Sequence, residues 1–150
     1  MMNQPPNKSL AGARYRGLLI IWGAQVFSLA LFFGLTQVIH ATANTEDTQP
    51  FLLALGATAL CAFGLSFAVK PRMLARAARE RRPDHVTTGY IIAFALCESC
   101  ALFGLIAYFV TGARASLYFF VPAALGLLLH FPRRPHFDDA GAGQDFKSTF

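Results

Sequence analysis

Four long apolar runs dominate the sequence and limit what this chain can fold into. They cover residues 17–39, 51–69, 89–110 and 113–131. A helix needs about 20 apolar residues to cross hydrocarbon about 30 Å thick, so each run is long enough, or nearly long enough, to span a membrane. The helices of a soluble bundle would carry a polar stripe at a period of about 3.6 residues, whereas these runs are apolar nearly all round. The sequence therefore predicts an all-α, polytopic membrane protein with four transmembrane helices in two hairpins.

The composition agrees with this fold class. Hydrophobic residues make up 55% of the chain and charged residues only 14%, whereas soluble domains are about 25% charged. The fourth run is the weakest prediction, because Arg114 near its start must reach the interface and Pro122 lies inside it.

Basic residues lie beside the apolar runs and predict the orientation. They precede the first run, fill the connection between the second and third, and follow the fourth. The first connection carries Glu46 and Asp47 without a basic residue. The third connection is predicted to be a tight turn at Thr111-Gly112, and it carries Arg114 alone. By the positive-inside rule both termini and the central connection are expected in the cytoplasm. The expected location is the bacterial inner membrane.

Three regions follow from these patterns. Residues 1–16 form a basic cytoplasmic segment, residues 17–134 form the transmembrane domain, and residues 135–150 bury too little apolar surface to order and are predicted to be a disordered cytoplasmic tail. A cleaved secretory signal is disfavoured, because the first run exceeds the 7 to 15 or so apolar residues of such a signal.

The central connection combines helix-forming residues with positive charge. Residues 73–82 are rich in Ala and Arg, so the second helix is expected to extend beyond the membrane until Pro83 ends it. Charges next to a membrane attract anionic lipid head groups, at about 1 kcal/mol each, and make nucleic acid a poor candidate partner. The basic loop predicted to do this contains Arg76, Arg79, Arg81 and Arg82.

Glu98 is the ionisable side chain near the middle of the third run. An acidic residue there costs about 2.5 to 3.5 kcal/mol and calls for a partner or a function. Counting about 1.5 Å per residue from the cytoplasmic ends places Gln25 and Ser28 at the same depth. The Gln25 amide is the expected partner, since it can donate to a carboxylate or accept from the protonated acid. Pro122 frees the carbonyl of Tyr118 as a second possible acceptor.

Two roles for Glu98 stay open. It can be a structural polar contact that holds the bundle in register, or an ion-binding carboxyl that exchanges a proton or cation, with Gln25 and Ser28 as neighbours. A catalytic role is disfavoured, because no set of nucleophile, base and oxyanion donors is visible.

Cysteines and histidines do not predict a metal or redox site. Cys97 and Cys100 form a Cys-x-x-Cys around Glu98, but a membrane-embedded helix lacks the solvent access that such redox motifs need. The four histidines are scattered. We expect no metal and no cofactor, with the cysteines acting as buried small hydrophobic residues.

Small residues recur on the second and third runs at spacings of three and four. Helices in lipid associate through close backbone approach, so such residues predict a tight contact between these two spans. The predicted packing residues are Ala54, Ala57, Cys61 and Gly64 on the second span, and Ala95, Ala101 and Gly104 on the third.

The hairpin of spans two and three resembles the c subunit, or proteolipid, of rotary ATP synthases. The resemblance is carried by Arg81-Arg82-Pro83-Asp84 at the loop and by Ala95-Leu96-Cys97-Glu98 leading to Phe103-Gly104-Leu105. It implies that Glu98 corresponds to the proton- or sodium-binding carboxylate of that family, with Ala95 and Ala101 as small neighbours.

Two functions remain in view. The first is an accessory or scaffolding subunit of a membrane assembly, homo-oligomeric or part of a larger complex, with Glu98 as a polar pin. The alternative is a proton- or cation-handling protein that uses Glu98 as the c subunits do.

Overall fold

The computed structural model describes residues 6–39, 48–80, 82 and 84–133. This part of the chain is all-helical, which confirms the all-α part of the predicted fold class. It contains α1 (Pro6–Val38), α2 (Gln49–Glu80), α3 (Asp84–Thr111), a 3-10 helix (Arg114–Phe119) and α4 (Phe120–Leu129). The first three of these α-helices are long and apolar enough to cross a membrane.

The long helices continue past the apolar runs that predicted them. α1 begins at Pro6, well before residue 17, and α2 continues to Glu80. The helical Ala/Arg extension of the second span is therefore confirmed. Several other predictions lie outside the described residues: the disordered tail 135–150, the first residues of the N-terminal segment, most of the acidic connection, Arg81 and Pro83.

The fourth apolar run differs from the single helix over 113–131 that its length predicts. Its 16 helical residues are divided into a six-residue 3-10 helix and the ten-residue α4. Pro122 lies in the first turn of α4, where its missing N–H leaves no intrahelical hydrogen bond unmade. The proline thus helps to set where the regular α-helix begins.

The turn between α3 and the 3-10 helix is the predicted Thr-Gly turn. Gly112 has a φ of 64°, a left-handed conformation that glycine adopts without strain, and its N–H donates to the carbonyl of Tyr108 at 2.8 Å. The Thr111 hydroxyl donates to the carbonyl of Ala107 at 2.7 Å and accepts from the N–H of Ala113 at 3.1 Å. These bonds satisfy the last turn of α3 and reverse the chain within two residues.

α3 is the central helix of the bundle. α1, α2, the 3-10 helix and α4 all contact it, and 44% of its most apolar 18-residue window is buried, against 6% in α1 and 11% in α2. Its inward side chains form the core: Tyr90, Ala93, Phe94, Cys97, Cys100 and Ala101. A residue on α3 therefore reports on contacts within the chain, whereas most of α1 and α2 faces outward.

The prediction that four small residues of α2 pack against α3 is wrong. Ala54, Ala57, Cys61 and Gly64 are exposed, and a Cβ added to Gly64 would meet nothing within 4 Å.

α2 instead buries Ala59, Ser66 and Ala77, and a Cβ on Gly89 of α3 would lie 2.8 Å from the Cβ of Met73. Small residues occur on more than one face of α2, so spacing alone did not fix how the helix is rotated about its axis.

The predicted packing residues of α3 divide in the same way. Ala101 and Gly104 are buried, as predicted, whereas Ala95 is exposed and was predicted wrongly. Gly104 packs against the 3-10 helix: a Cβ there would lie 2.7 Å from the Cβ of Phe119 and 3.1 Å from the carbonyl of Ser116. Small residues of α3 thus pack closely against the fourth apolar run as well as against α2.

Candidate functional site around Glu98

Glu98 is joined to α1 by a hydrogen bond between side chains. The Ser28 hydroxyl donates to Glu98 Oε1 at 2.7 Å, and both residues are half-buried. The bond links two helices at positions 70 residues apart in the chain. The depth count made from the sequence therefore identified α1 as the helix that contacts Glu98, and it identified the correct turn of α1.

One narrow face of α1 contacts α3 and α4. The less exposed positions of this face recur at alternating steps of four and three residues, the spacing of left-handed helix packing. They are Leu18, Trp22, Gln25, Leu29, Phe32 and Thr36. Ser28 precedes Leu29 and lies at the edge of this face, which brings its short side chain level with Glu98.

The prediction that Gln25 is the partner of Glu98 is wrong. Gln25 is half-buried on the contact face, but it shares no hydrogen bond with Glu98, although both residues are described. Three residues advance an α-helix by about 300°, so Gln25 and Ser28 point about 60° apart at nearly the same depth. Depth was readable from the sequence, whereas this rotation was not.

The second acceptor suggested by the sequence is not used either. Tyr118 lies in the 3-10 helix with 76% of its surface exposed, and within the described residues its carbonyl makes no hydrogen bond with Glu98. Glu98 faces α1, while the buried residues around it face α2 and α4.

The geometry suits either protonation state of the carboxyl. A hydroxyl that donates to Oε1 stabilises an ionised carboxylate and is also compatible with a protonated acid. Within the described residues Oε2 of Glu98 has no hydrogen-bond partner. This second oxygen is the atom on which a proton, a water molecule or a cation would be held.

The cysteines around Glu98 pack rather than form a reactive pair. Cys97 Sγ lies 3.8 Å from the Ser66 hydroxyl, and Cys100 Sγ lies 3.3 Å from the carbonyl of Ala59. Cys97 and Cys100 are buried, as predicted, whereas Cys61 is exposed and was predicted wrongly. In the part of the chain that the structure describes, no three His, Cys, Asp or Glu side chains come together as a metal site.

Sequence analysis missed a group of polar contacts at the end of the bundle where α1 and α3 begin and α2 and α4 end, which we call the basic end. Trp22 Nε1 donates to the carbonyl of Leu127 at 2.9 Å, and Arg14 forms a 3.0 Å ion pair with Asp84. Trp22 is not among the site residues that the sequence predicts. The sequence signal for its contact was the position of Trp22 near the end of a span, since the tryptophan side chain has an apolar body and a polar tip.

Part of the predicted basic loop is already paired with acid. The Arg76 guanidinium donates to Glu80 Oε1 at 2.7 Å, and His85 Nε2 lies 2.9 Å from Glu80 Oε2. The hydrogen bond from Arg76 holds the pKa of Glu80 below its usual value. Arg79 and Arg82 are exposed and form no ion pair within the described residues, which leaves them available to the lipid head groups that the loop is expected to attract.

Comparison of the chain with models of known families, with curated proteins and with solved structures gives no match. The resemblance of the α2–α3 hairpin to proteolipid subunits therefore rests on the residues quoted above.

Proposed function

We propose that this protein is an accessory or scaffolding subunit of a membrane assembly, and that Glu98 acts in it as a polar pin between helices. The hydrogen bond from Ser28 to Glu98 carries this proposal. A carboxyl in an apolar run is costly, and here one of its oxygens is satisfied by a neighbouring helix of the same chain. The bond fixes α1 against α3 both in depth and in rotation.

We further propose that the chain crosses the inner membrane of a bacterium four times, with both termini in the cytoplasm. A 3-10 helix rises about 2 Å per residue and an α-helix about 1.5 Å, so the fourth run reaches about 27 Å, close to hydrocarbon thickness. Arg114 and Arg133 lie at its two ends and are exposed. The excess of basic residues at the basic end supports placing that end in the cytoplasm.

The exposed small-residue face of α2 supports a role in assembly. Ala54, Ala57 and Gly64 leave the backbone of α2 open to close approach by another helix, which is how helices associate in lipid.

Variants of Glu98 test the pin. In Glu98→Gln the amide oxygen still accepts from Ser28 while the exchangeable proton is lost, so assembly and function should be retained. Glu98→Ala removes the acceptor and should weaken both. The readouts are the proteins that co-purify from native membranes and the mass of the detergent-extracted particle. Loss of function in Glu98→Gln with an intact particle would contradict the pin.

A second function, proton or cation handling, is favoured by the unpartnered Oε2 of Glu98. Under this alternative a hydrophobic carbodiimide should label Glu98 more strongly at low pH than at high pH, and labelling should stop transport into vesicles. Glu98→Gln should remove the label and the transport together. A rotor of the proteolipid kind also requires a ring, so a detergent-extracted monomer or dimer would exclude it.

A further inference from the structure

One buried aromatic side chain at the basic end contacts two basic residues. Lys70 Nζ lies 4.4 Å from the centre of the Tyr90 ring, and the N–H of Arg133 donates to the Tyr90 hydroxyl at 3.3 Å. Tyr90 itself is completely buried. Lys70 of α2 and Arg133, in the segment that follows α4, are thereby both in contact with Tyr90 of α3.

These two cations have no acid to neutralise them in the part of the chain that the structure describes. The ion pairs there use Arg14, Arg76 and His85, whereas the charges of Lys70 and Arg133 repel each other. Three further ionisable groups among the described residues interact with Lys70 or Tyr90, and none of the three carries a negative charge near neutral pH. They are Tyr15, Cys97 and His130.

The position of this pair indicates where its counter-ion comes from. Lys70 follows the second apolar run and Arg133 follows the fourth, so both lie at the depth of the membrane–water interface. Apolar side chains that are close to them in sequence are exposed. Phe67, Leu129 and Phe131 are 40%, 61% and 44% exposed. Positive charge that suits a lipid head group and apolar surface that suits the acyl chains of the same lipid therefore occur together.

We propose that Lys70 and Arg133 together bind the phosphate group of an anionic membrane lipid, with Tyr90 as the side chain that positions both. A guanidinium and an ammonium make charge-assisted hydrogen bonds to phosphate oxygens. This site differs from the diffuse attraction of the basic loop because Lys70 of α2 and Arg133, which follows α4, both contact one residue of α3. It goes beyond the proposed scaffolding role and does not depend on Glu98.

Binding of phosphatidylglycerol to the detergent-solubilised full-length chain tests the proposal, with native mass spectrometry as the readout. The comparison is phosphatidylcholine, a zwitterionic lipid whose choline balances the charge of its phosphate. Lys70→Gln and Arg133→Gln should each weaken binding of phosphatidylglycerol by about thirtyfold, since each removes a charged hydrogen bond. The matched control is Arg72→Gln. Arg72 is an exposed cation two residues along the same helix, without an ion pair among the described residues. Its loss should cost less than about fivefold.

Tyr90→Phe separates positioning from charge. It keeps the ring under Lys70 and removes the hydroxyl that holds the Arg133 backbone, so binding should fall less than in Lys70→Gln. Glu98→Gln should bind as the wild type does. Unchanged circular dichroism and thermal midpoints will show that the variants are folded.

Three results would overturn the proposal. Equal losses in Lys70→Gln, Arg133→Gln and Arg72→Gln would show diffuse attraction only. Equal binding of phosphatidylglycerol and phosphatidylcholine would show that the net negative charge of the lipid is not recognised. Displacement of phosphatidylglycerol by millimolar inorganic phosphate, with the same dependence on the variants, would assign the site to phosphate from solution and not to lipid.

Discussion

α1 and α4 both pack on α3, but they are held by different physical means. α4 lies so close to α3 that a Cβ on Gly126 would overlap the Sγ of Cys97. α1 has no glycine in such a position: a Cβ added to Gly23 or Gly34, which lie off its contact face, would meet nothing within 4 Å. It is joined to the bundle by polar contacts along its length, among them the bond from Ser28 to Glu98.

The difference shows two ways of associating helices where apolar burial gives little driving force. Lipid tails are as apolar as the side chains they surround, so association depends on close packing or on hydrogen bonds between helices. Close packing tolerates no added atom, whereas a polar contact can be lost with a modest penalty. Substitutions at the two contacts should therefore differ in size.

The largest effect is expected at the contact of α4 with α3. Gly126→Ala should lower the free energy of unfolding by about 2 kcal/mol, because the added methyl group cannot fit beside Cys97. Thermal unfolding in detergent measures this loss. Cys97→Ala should restore part of it by removing the Sγ atom.

Gly34→Ala is the control for this substitution, since the same change on α1 meets open space and favours helix. An equal loss at Gly34 would mean that α1 is packed as tightly as α4 and would remove the contrast. Gly64→Ala extends the test to α2: a loss that appears only at high protein concentration would show that the exposed small-residue face contacts a second copy.

A smaller effect is expected at the polar contact between α1 and α3. Ser28→Ala should cost about 1 kcal/mol, a typical upper value for hydrogen bonds between membrane helices. Ser99→Ala is the matched control, because the hydroxyl of Ser99 bonds to the carbonyl of Ala95 within its own helix at 2.8 Å.

A double-mutant cycle isolates the bond between Ser28 and Glu98. Ser28→Ala should have little further effect in a Glu98→Ala background, because its partner is already absent. Additive losses would show that the two side chains stabilise the bundle independently and that the pin is misassigned.

Trp22→Phe should cost somewhat less, about 0.5 to 1 kcal/mol. The change removes the hydrogen bond from Trp22 Nε1 to the carbonyl of Leu127, which is worth about this much. It keeps an aromatic ring near Phe131, whose ring centre lies 5.1 Å from that of Trp22. Tryptophan fluorescence of the wild type and thermal unfolding of both proteins provide the measurements. A loss as large as that of Gly126→Ala would place the main attachment of α1 at its aromatic contacts.

The smallest effect is expected where α1 leaves the membrane. Arg14 and Asp84 form an ion pair with both side chains substantially exposed, so Arg14→Gln should change stability by less than about 0.5 kcal/mol. The difference between variant and wild type should vanish at high salt, because exposed charges are screened. A difference that persists in high salt would show that Arg14 contributes packing and not charge.

The sequence predicted those features that depend on distance along a helix. Run lengths predicted the three long apolar helices, Thr111-Gly112 predicted the turn, and the depth count brought Ser28 to Glu98. The features it failed to predict depend on rotation about the helix axis. It chose Gln25 over Ser28, and it placed the exposed Ala54, Ala57 and Cys61 in the contact between α2 and α3.

The amino-acid sequence by itself determined the all-α class, the three long apolar helices and the common depth of Ser28 and Glu98, because rise per residue and the breaking effects of glycine and proline are local properties. The tertiary structure alone decided which face of each helix packs inward. A helix that is apolar nearly all round has no preferred side until its neighbours are in place. Its rotation is then set by particular contacts, here the fit of Gly126 against Cys97 and the hydrogen bond from Ser28 to Glu98.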